Sequence, residues 1–296
     1  MKKIKTAIIG TGNIGSDLLL KISRSELLEC SLFVGRNLQS RGMRMAAKMG
    51  VPVSDESIAA IEKDPSCCEI VFDATSAEVH LVHAPILKRL HKFTLDLTPA
   101  SVGIQCVPVI NLDKSLTEDN VNLITCGGQA AIPMAYAISQ VQPGITYCEL
   151  VASIASRSAG AGTRENIDEF TQTTRRALAG FTGIEHTKAI IILNPAEPPI
   201  IMRNTLHLQV EHPDLARMTE AARKMEERIR REYVPGYRMI VPPLYQNGHV
   251  SLTVEVRGRG DFLPEYSGNL DIITSAAVRI AEAYALQQRS EANHAR

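Results

Sequence analysis

Six residues near the N-terminus, Gly10-Thr11-Gly12-Asn13-Ile14-Gly15, constrain this chain more than any others. They form a GxGxxG pattern. An apolar run at 5–9 that reads as a strand precedes them, and they open a stretch at 14–23 that reads as a helix. In that setting the first glycine permits a tight turn, the second lets a pyrophosphate approach the backbone, and the third lets helix and strand pack closely. The helix N-terminus then offers N–H groups to the phosphates. The pattern predicts dinucleotide binding through this loop, with a purely structural glycine turn as the competing reading.

The alternation continues beyond that loop. Strands are expected at 30–34, 69–73, 93–97 and 121–125, with helices at 41–49 and 79–90, the signature of a doubly wound parallel sheet. After about residue 145 the pattern changes. Strands at 147–156, 189–193, 206–211, 237–241 and 249–257, with helices at 166–179 and 214–232, predict a mixed or antiparallel sheet in a second, α+β domain. A helix at 270–288, with Ile272, Ile273, Ala276, Ala277, Ile280 and Tyr284 at helical spacing, is expected to pack back on the first domain. The polar tail at 289–296 is expected to fray. These readings divide the chain into a dinucleotide-binding domain, 1–127 completed by 268–290, and a catalytic and dimerisation domain, 128–267.

Composition narrows the partners. Lysine plus arginine equals aspartate plus glutamate at 32 each, so no global basic bias favours nucleic acid or an anionic membrane. No metal site is suggested: the six cysteines, at 30, 67, 68, 106, 126 and 148, contain no CxxC pair. That pattern suits reduced thiols, and with no signal peptide or membrane-length apolar run it predicts a cytoplasmic protein.

The tip of the second strand bears on which dinucleotide binds. An acid there would hold the adenosine ribose hydroxyls. The chain instead has Val34-Gly35-Arg36-Asn37, followed by Ser40 and Arg41. Arg36 and Arg41 suit a 2′-phosphate, which would admit NADP beside NAD, or they are solvated surface charges. Further on, Thr75 and Ser76 follow Asp73 on the same edge, where small hydroxyl residues line the nicotinamide half of a cofactor.

Chemistry is expected at Cys126-Gly127-Gly128-Gln129, between the strand at 121–125 and a helix at 130–140 with Pro133 in its first turn. A thiol at that junction would sit near helix N–H groups and the positive end of the helix dipole, which lower its pKa. Read locally, Cys126 is either a nucleophile or a buried cysteine at a tight turn. A Rossmann domain followed by such a thiol suggests aldehyde oxidation through a thioester.

Five segments carry a resemblance: GTGNIG at 10–15, ITCGGQAAIPM at 124–134, SRSAGAGTRENIDEFT at 156–171, LNPAEPPIIMR at 193–203 and SGNLDIITSAA at 267–277. With them the sequence resembles the acylating acetaldehyde dehydrogenases, partners of 4-hydroxy-2-oxovalerate aldolases in aromatic-compound catabolism. The likeness covers all but the tail. It implies a semialdehyde-dehydrogenase-like fold and the conversion of acetaldehyde, CoA and NAD to acetyl-CoA and NADH. Cys126 matches the acyl-thioester cysteine. Thr11, Gly12, Asn13 and Ile14 match the first nucleotide segment. Ser158, Ala159, Gly160, Ala161, Gly162, Thr163, Arg164, Glu165 and Asn166, together with Asn269, match the other cofactor-contacting segments. Read without the resemblance, 158–163 is an N–H-rich loop suited to a cofactor or oxyanion, or an ordinary glycine-rich turn. A homodimer within a heterotetramer containing the aldolase is implied as well.

Two departures stand out. Many family members carry an acid at the second-strand tip, where this chain has Gly35-Arg36, and an aspartate after the arginine of PPxxMR, where it has Asn204. Asparagine cannot serve as a base at neutral pH, though it can orient a water or a carbonyl. His207, His212 and His249 lie in no motif that marks a base, and a structural role is expected for each. Two alternatives stay open: a semialdehyde dehydrogenase that uses phosphate, and a nucleotide-binding subunit with weakened chemistry.

Overall fold

The computed structural model describes residues 3–294, which divide into two compact units: one up to residue 123 and again from 274 onward, and one of 124–273. In the first unit, β1 (Ile4–Ile9), α1 (Asn13–Ser23), β2 (Leu28–Val34), α2 (Arg41–Lys48), β3 (Val53–Ser54), α3 (Ala59–Lys63), β4 (Ile70–Asp73) and α4 (Ala77–Arg89) follow in turn. Then come β5 (Phe93–Asp96), β6 (Ile104–Gln105), α5 (Pro108–Ser115) and β7 (Asn120–Asn122). The strands form one sheet in the order β3-β2-β1-β4-β5-β7-β6, every pair parallel. Its central strands are buried on both faces because helices flank them, so β4 and β5 lack the in–out alternation of a half-exposed strand.

The second unit holds α6 (Cys126–Ser139), β8 (Tyr147–Ala155), α7 (Ala161–Glu165), α8 (Ile167–Thr182), β9 (His186–Asn194), β10 (Met202–Gln209), α9 (Leu215–Glu232), β11 (Tyr237–Gln246) and β12 (His249–Val256). Its sheet runs β11-β12-β10-β8-β9, antiparallel except for the β8–β9 pair. β8, β10 and β12 alternate buried and partly exposed residues, as strands with one covered face must. The half-exposed positions form a polar ladder: Thr205 meets Thr253 at 3.0 Å, and His207 Nδ1 meets Ser251 Oγ at 2.9 Å. His207 therefore sits in a sheet-face pair, edge-on to His249 with ring centroids 5.8 Å apart.

The last helix, α10, runs from Gly268 to His294. From Thr274 onward it belongs to the first unit, where the Thr274 hydroxyl donates to Asp17 Oδ2 at 2.6 Å and Tyr284 stacks on Phe93 with centroids 4.0 Å apart. Fraying from residue 289 is not what the structure has. The helix continues to His294, with Gln287 and Gln288 donating to Glu291 at 3.0 and 3.3 Å, side-chain bonds that the tail's polarity concealed. Ala295 and Arg296 lie outside the described residues. Among the described residues no helix is long and apolar enough to cross a membrane, and no group of three or more His, Cys, Asp or Glu side chains is placed to hold a metal ion.

Candidate active site

The junction at Cys126 differs from its expected geometry. β7 ends at Asn122, and the chain turns at Ile124, a β-branched residue with φ of 63°. Thr125 then caps a helix that starts at Cys126 rather than at residue 130, so Pro133 stands in its interior and not in its first turn. The cap explains the early start. Thr125 Oγ1 accepts from the Gly128 N–H at 3.0 Å, meeting a donor that the first helical turn leaves unpaired. The same hydroxyl lies 2.7 Å from Thr174 Oγ1, and Thr174 donates to the Phe170 carbonyl at 2.6 Å. Since Thr174 spends its one proton there, Thr125 is the donor of the pair, and the cap is tied to α8.

Gly127 and Gly128 are helical residues, required by close packing. A Cβ on Gly127 would lie 3.0 Å from the Ala152 Cβ and 3.1 Å from Phe170 Cζ; one on Gly128 would lie 2.8 Å from Ile124 Cγ2. They let α6 approach β8 and α8 with the thiol at its first residue.

Cys126 is half-buried by its exposure, yet its sulfur is densely surrounded. Desolvation pushes the thiol up to about 12, against the lowering by backbone groups of Gly127 and of Cys126 itself. The expectation of a lowered pKa is thus reversed, because desolvation by burial outweighs the lowering by the backbone of the first turn.

Asn204 lies in β10 between Ala152 of β8 and Val254 of β12, almost fully buried. Its Oδ1 is 3.7 Å from where a Gly127 Cβ would stand, which sets the amide beneath the first turn of α6. Among the described residues neither Oδ1 nor Nδ2 has a hydrogen-bond partner. An orphaned amide in a closed interior costs about 1–3 kcal/mol per group, so it marks a place where a further polar group completes the structure. Asn269, also buried, has an Oδ1 without a partner among the described residues as well. In the 158–166 segment Ser158 is buried and donates to the Ala155 carbonyl at 2.8 Å, while Arg164 donates to the Ser156 carbonyl and hydroxyl, both at 2.9 Å. Gly160 precedes α7, which contains Ala161, Gly162, Thr163, Arg164 and Glu165; Ala159 and Asn166 are buried at its flanks. These bonds are local and do not reach Cys126.

In the first unit the glycine loop has the geometry that its sequence predicts. Gly10 has φ of 109°, and a Cβ there would lie 2.4 Å from the Ala74 carbonyl oxygen. A Cβ on Gly15 would lie 1.8 Å from the Gly10 carbonyl oxygen, whereas one on Gly12 would meet nothing within 4 Å. The loop is therefore closed against β4 and α1 but open at its central glycine, a cradle fitted to a pyrophosphate. Thr11, Gly12, Asn13 and Ile14 form this rim. Thr75 and Ser76 follow Ala74 on the same edge, Ser76 capping α4 by accepting from the Val79 N–H. At the β2 tip, a Cβ on Gly35 would lie 2.5 Å from Thr11 Cγ2, so a side chain at 35 requires Thr11 to shift. Ser40 Oγ donates to Thr11 Oγ1 at 3.2 Å, and Arg36 and Arg41 are exposed beside them.

The chain's relatives decide its family. It is 51% identical over 283 residues to an acetaldehyde dehydrogenase of Pectobacterium atrosepticum, covering 95% of each chain. It is 52% identical over 284 residues to one from Spirochaeta aurantia, covering 96% of this chain and 95% of that one. The chain belongs to the acetaldehyde dehydrogenase family. Residues 126–264 match the family model described as prokaryotic acetaldehyde dehydrogenase, dimerisation, which starts at Cys126 and supports a homodimer. Membership makes the protein an aldehyde dehydrogenase, and with the Rossmann-type sheet it points to a nucleotide cofactor. Among solved structures, aspartate semialdehyde dehydrogenase II from Vibrio cholerae shares the fold, with a TM-score of 0.63 at 14% identity over 95% of this chain and 98% of that one.

Two groups at these sites were missed from the sequence. Thr125 reads as the end of a strand, although a threonine three residues before Gly128 fits a cap. The buried cluster of Asp73, His80 and His83 gave no signal beyond i, i+3 histidines in a helix.

Proposed function

We propose that this protein oxidises acetaldehyde, or a similarly short aliphatic aldehyde, with NAD and CoA to the acyl-CoA and NADH through a thioester on Cys126. The observation that carries the reading is the thiol at the first residue of α6, a turn that packs at Gly127 over the buried Asn204 amide. Cys126 sulfur adds to the aldehyde carbonyl carbon and its proton leaves. Asn204 Nδ2 donates to the developing oxyanion or to a water that takes the proton, the partner its interior position lacks. The carbonyl then re-forms as the carbon gives up its hydrogen with two electrons. CoA sulfur next attacks the thioester carbonyl, takes the acyl group and returns Cys126 as a thiol.

A nicotinamide dinucleotide fits the first unit's open loop and supplies the hydride acceptor. Gly10, Thr11, Gly12, Asn13, Ile14 and Gly15 would hold the pyrophosphate, with Thr75 and Ser76 toward the nicotinamide. Exposed Arg36 and Arg41 at the β2 tip support acceptance of NADP. Ser158 to Asn166 and Asn269 are proposed to complete the cofactor contacts. Assembly with a 4-hydroxy-2-oxovalerate aldolase, a role in aromatic-compound catabolism and a cytoplasmic setting belong to the same reading, the last supported by six free cysteines.

Initial rates with acetaldehyde and CoA, comparing NAD with NADP, test the proposal. Formation of acetyl-CoA together with a trapped acyl adduct on Cys126 is expected. Absence of acyl-CoA with either dinucleotide overturns it, and acyl phosphate formed in its place with inorganic phosphate would favour the semialdehyde-dehydrogenase type of chemistry.

A further inference from the structure

The parallel sheet of the first unit contains a buried ionisable cluster that the proposed chemistry leaves unused. Asp73, the last residue of β4, is fully buried and divides its oxygens between two tasks. Oδ1 accepts from the Thr75 N–H at 3.1 Å and from the Thr75 hydroxyl, holding the segment that leaves the strand. Oδ2 lies 2.9 Å from His80 Nδ1 and 2.8 Å from His83 Nδ1. The two imidazoles come from adjacent turns of α4, and their i, i+3 spacing brings both to one carboxylate.

His80 also faces the neighbouring strands. Its Nε2 is 3.4 Å from Asp96 Oδ2 and 3.0 Å from the Asn120 side-chain amide of β7, whose oxygen, otherwise without a partner among the described residues, accepts from Nε2–H when the amide is turned over. Asp96 ends β5 and is the register partner of Asp73. It repeats the arrangement one strand over: Oδ1 accepts from the Thr98 N–H at 2.8 Å, and Oδ2 accepts from Asn122 Nδ2 at 2.7 Å. His80, itself fully buried, thus joins two carboxylates that each hold the loop leaving their own strand. Both loops lie at the sheet edge where Gly10 packs on Ala74. Two buried carboxylates on adjacent strands repel, and an imidazolium between them is the charge that lets both stay ionised.

We infer that His80 is a positioning residue for nucleotide binding, which through Asp73 fixes the Thr75–Ser76 segment and, through its shared charge with Asp96, makes nucleotide affinity depend on pH. The inference rests on the reading that Thr75 and Ser76 border the nucleotide. The charged and titratable groups facing His80 are Asp73 from β4, Asp96 from β5 and His83 from its own helix. Burial opposes the charge on Asp73, but hydrogen bonds from His80 and His83 hold its carboxyl well below the usual range. Burial also opposes a charge on His80, yet Asp73 and Asp96 together raise it above an ordinary imidazole. Burial pushes Asp96 up to about 6, against the lowering influence of His80, Thr98 and Asn122. As pH falls through that value Asp96 gains a proton, one end of the clasp loses its charge, and affinity falls.

The test is fluorescence titration of the full-length protein with NADH, and with NADPH in parallel, from about pH 5.5 to about pH 8.5. Wild-type affinity is expected to weaken about fourfold toward the acid limit, where about a quarter of the molecules keep Asp96 ionised. The isosteric Asp96→Asn is expected to flatten that profile. His80→Gln is expected to weaken binding about tenfold at neutral pH while the circular dichroism spectrum stays that of the wild type. Should His80→Gln fail to fold, the pH profile of Asp96→Asn decides, since a purely structural role would not move a pH dependence. Dinucleotide binding with a flat wild-type profile, or an Asp96→Asn profile like that of the wild type, overturns the inference alone. Absence of binding of either dinucleotide at every pH overturns the nucleotide reading, and the inference with it.

Discussion

The reactivity of Cys126 in the free protein follows from a contest between burial and the helix terminus. With its thiol pushed up to about 12, only about one molecule in 10⁵ carries the thiolate at pH 7. An unperturbed cysteine, near 8.5, is about 3% ionised at that pH, so Cys126 has a thiolate fraction lower by about 3.5 powers of ten. The more basic thiolate is the better nucleophile: a Brønsted slope of about 0.45 returns roughly 1.6 of those powers. Alkylation of Cys126 by iodoacetamide should therefore run about a hundredfold slower than that of a free cysteine peptide at pH 7. Its rate should rise about tenfold per pH unit as far as the protein stays folded. Timed alkylation followed by peptide mass spectrometry measures this directly. An inflection below about pH 8 would refute the reasoning, because it would mean that the N–H groups of the first turn of α6 outweigh desolvation. A slow free thiol also implies that the proton leaves as the aldehyde is attacked, not beforehand.

Three further outcomes follow from the same geometry. Asn204→Asp places a carboxyl in a closed interior beneath α6, so its pKa should rise; as a base it should speed acylation of Cys126 and add an ionisation to the pH–rate profile, and unchanged rates and profile would remove position 204 from thiol activation. Gly127→Ala sets a methyl 3.0 Å from the Ala152 Cβ and 3.1 Å from Phe170 Cζ, which should cost about 1–3 kcal/mol in urea unfolding and lower kcat, with wild-type behaviour in both counting against the packing argument. Thr274→Val removes a 2.6 Å hydrogen bond to the buried Asp17, whose Oδ2 retains Lys21 at 2.7 Å; a loss of about 2 kcal/mol in the denaturant midpoint analysis is expected, and no loss would show that this bond does not hold α10 in place.

What was legible in the sequence is local. A glycine pattern between a buried strand and a helix depends on neighbours in the chain, so the strand–turn–helix at 10–15 and the parallel first sheet could be read from spacing. The change of period after β7 announced the mixed sheet in the same way. Cys126, too, was visible, because its tetrapeptide sits where a strand gives way to a helix. Its electrostatics were not. The first turn of α6 is packed at Gly127 against Ala152, Phe170 and Asn204, which are far away in sequence, and burial reversed the shift that the helix end alone would produce at the neighbouring thiol. The same holds for Asp73, His80 and Asp96, each ordinary in its own segment and joined only when β4, β5 and α4 pack. Periodicity and turn chemistry act over a few residues and are written in the chain. Desolvation and charge pairing depend on what lies within a few ångströms in space, and only the tertiary structure decides that.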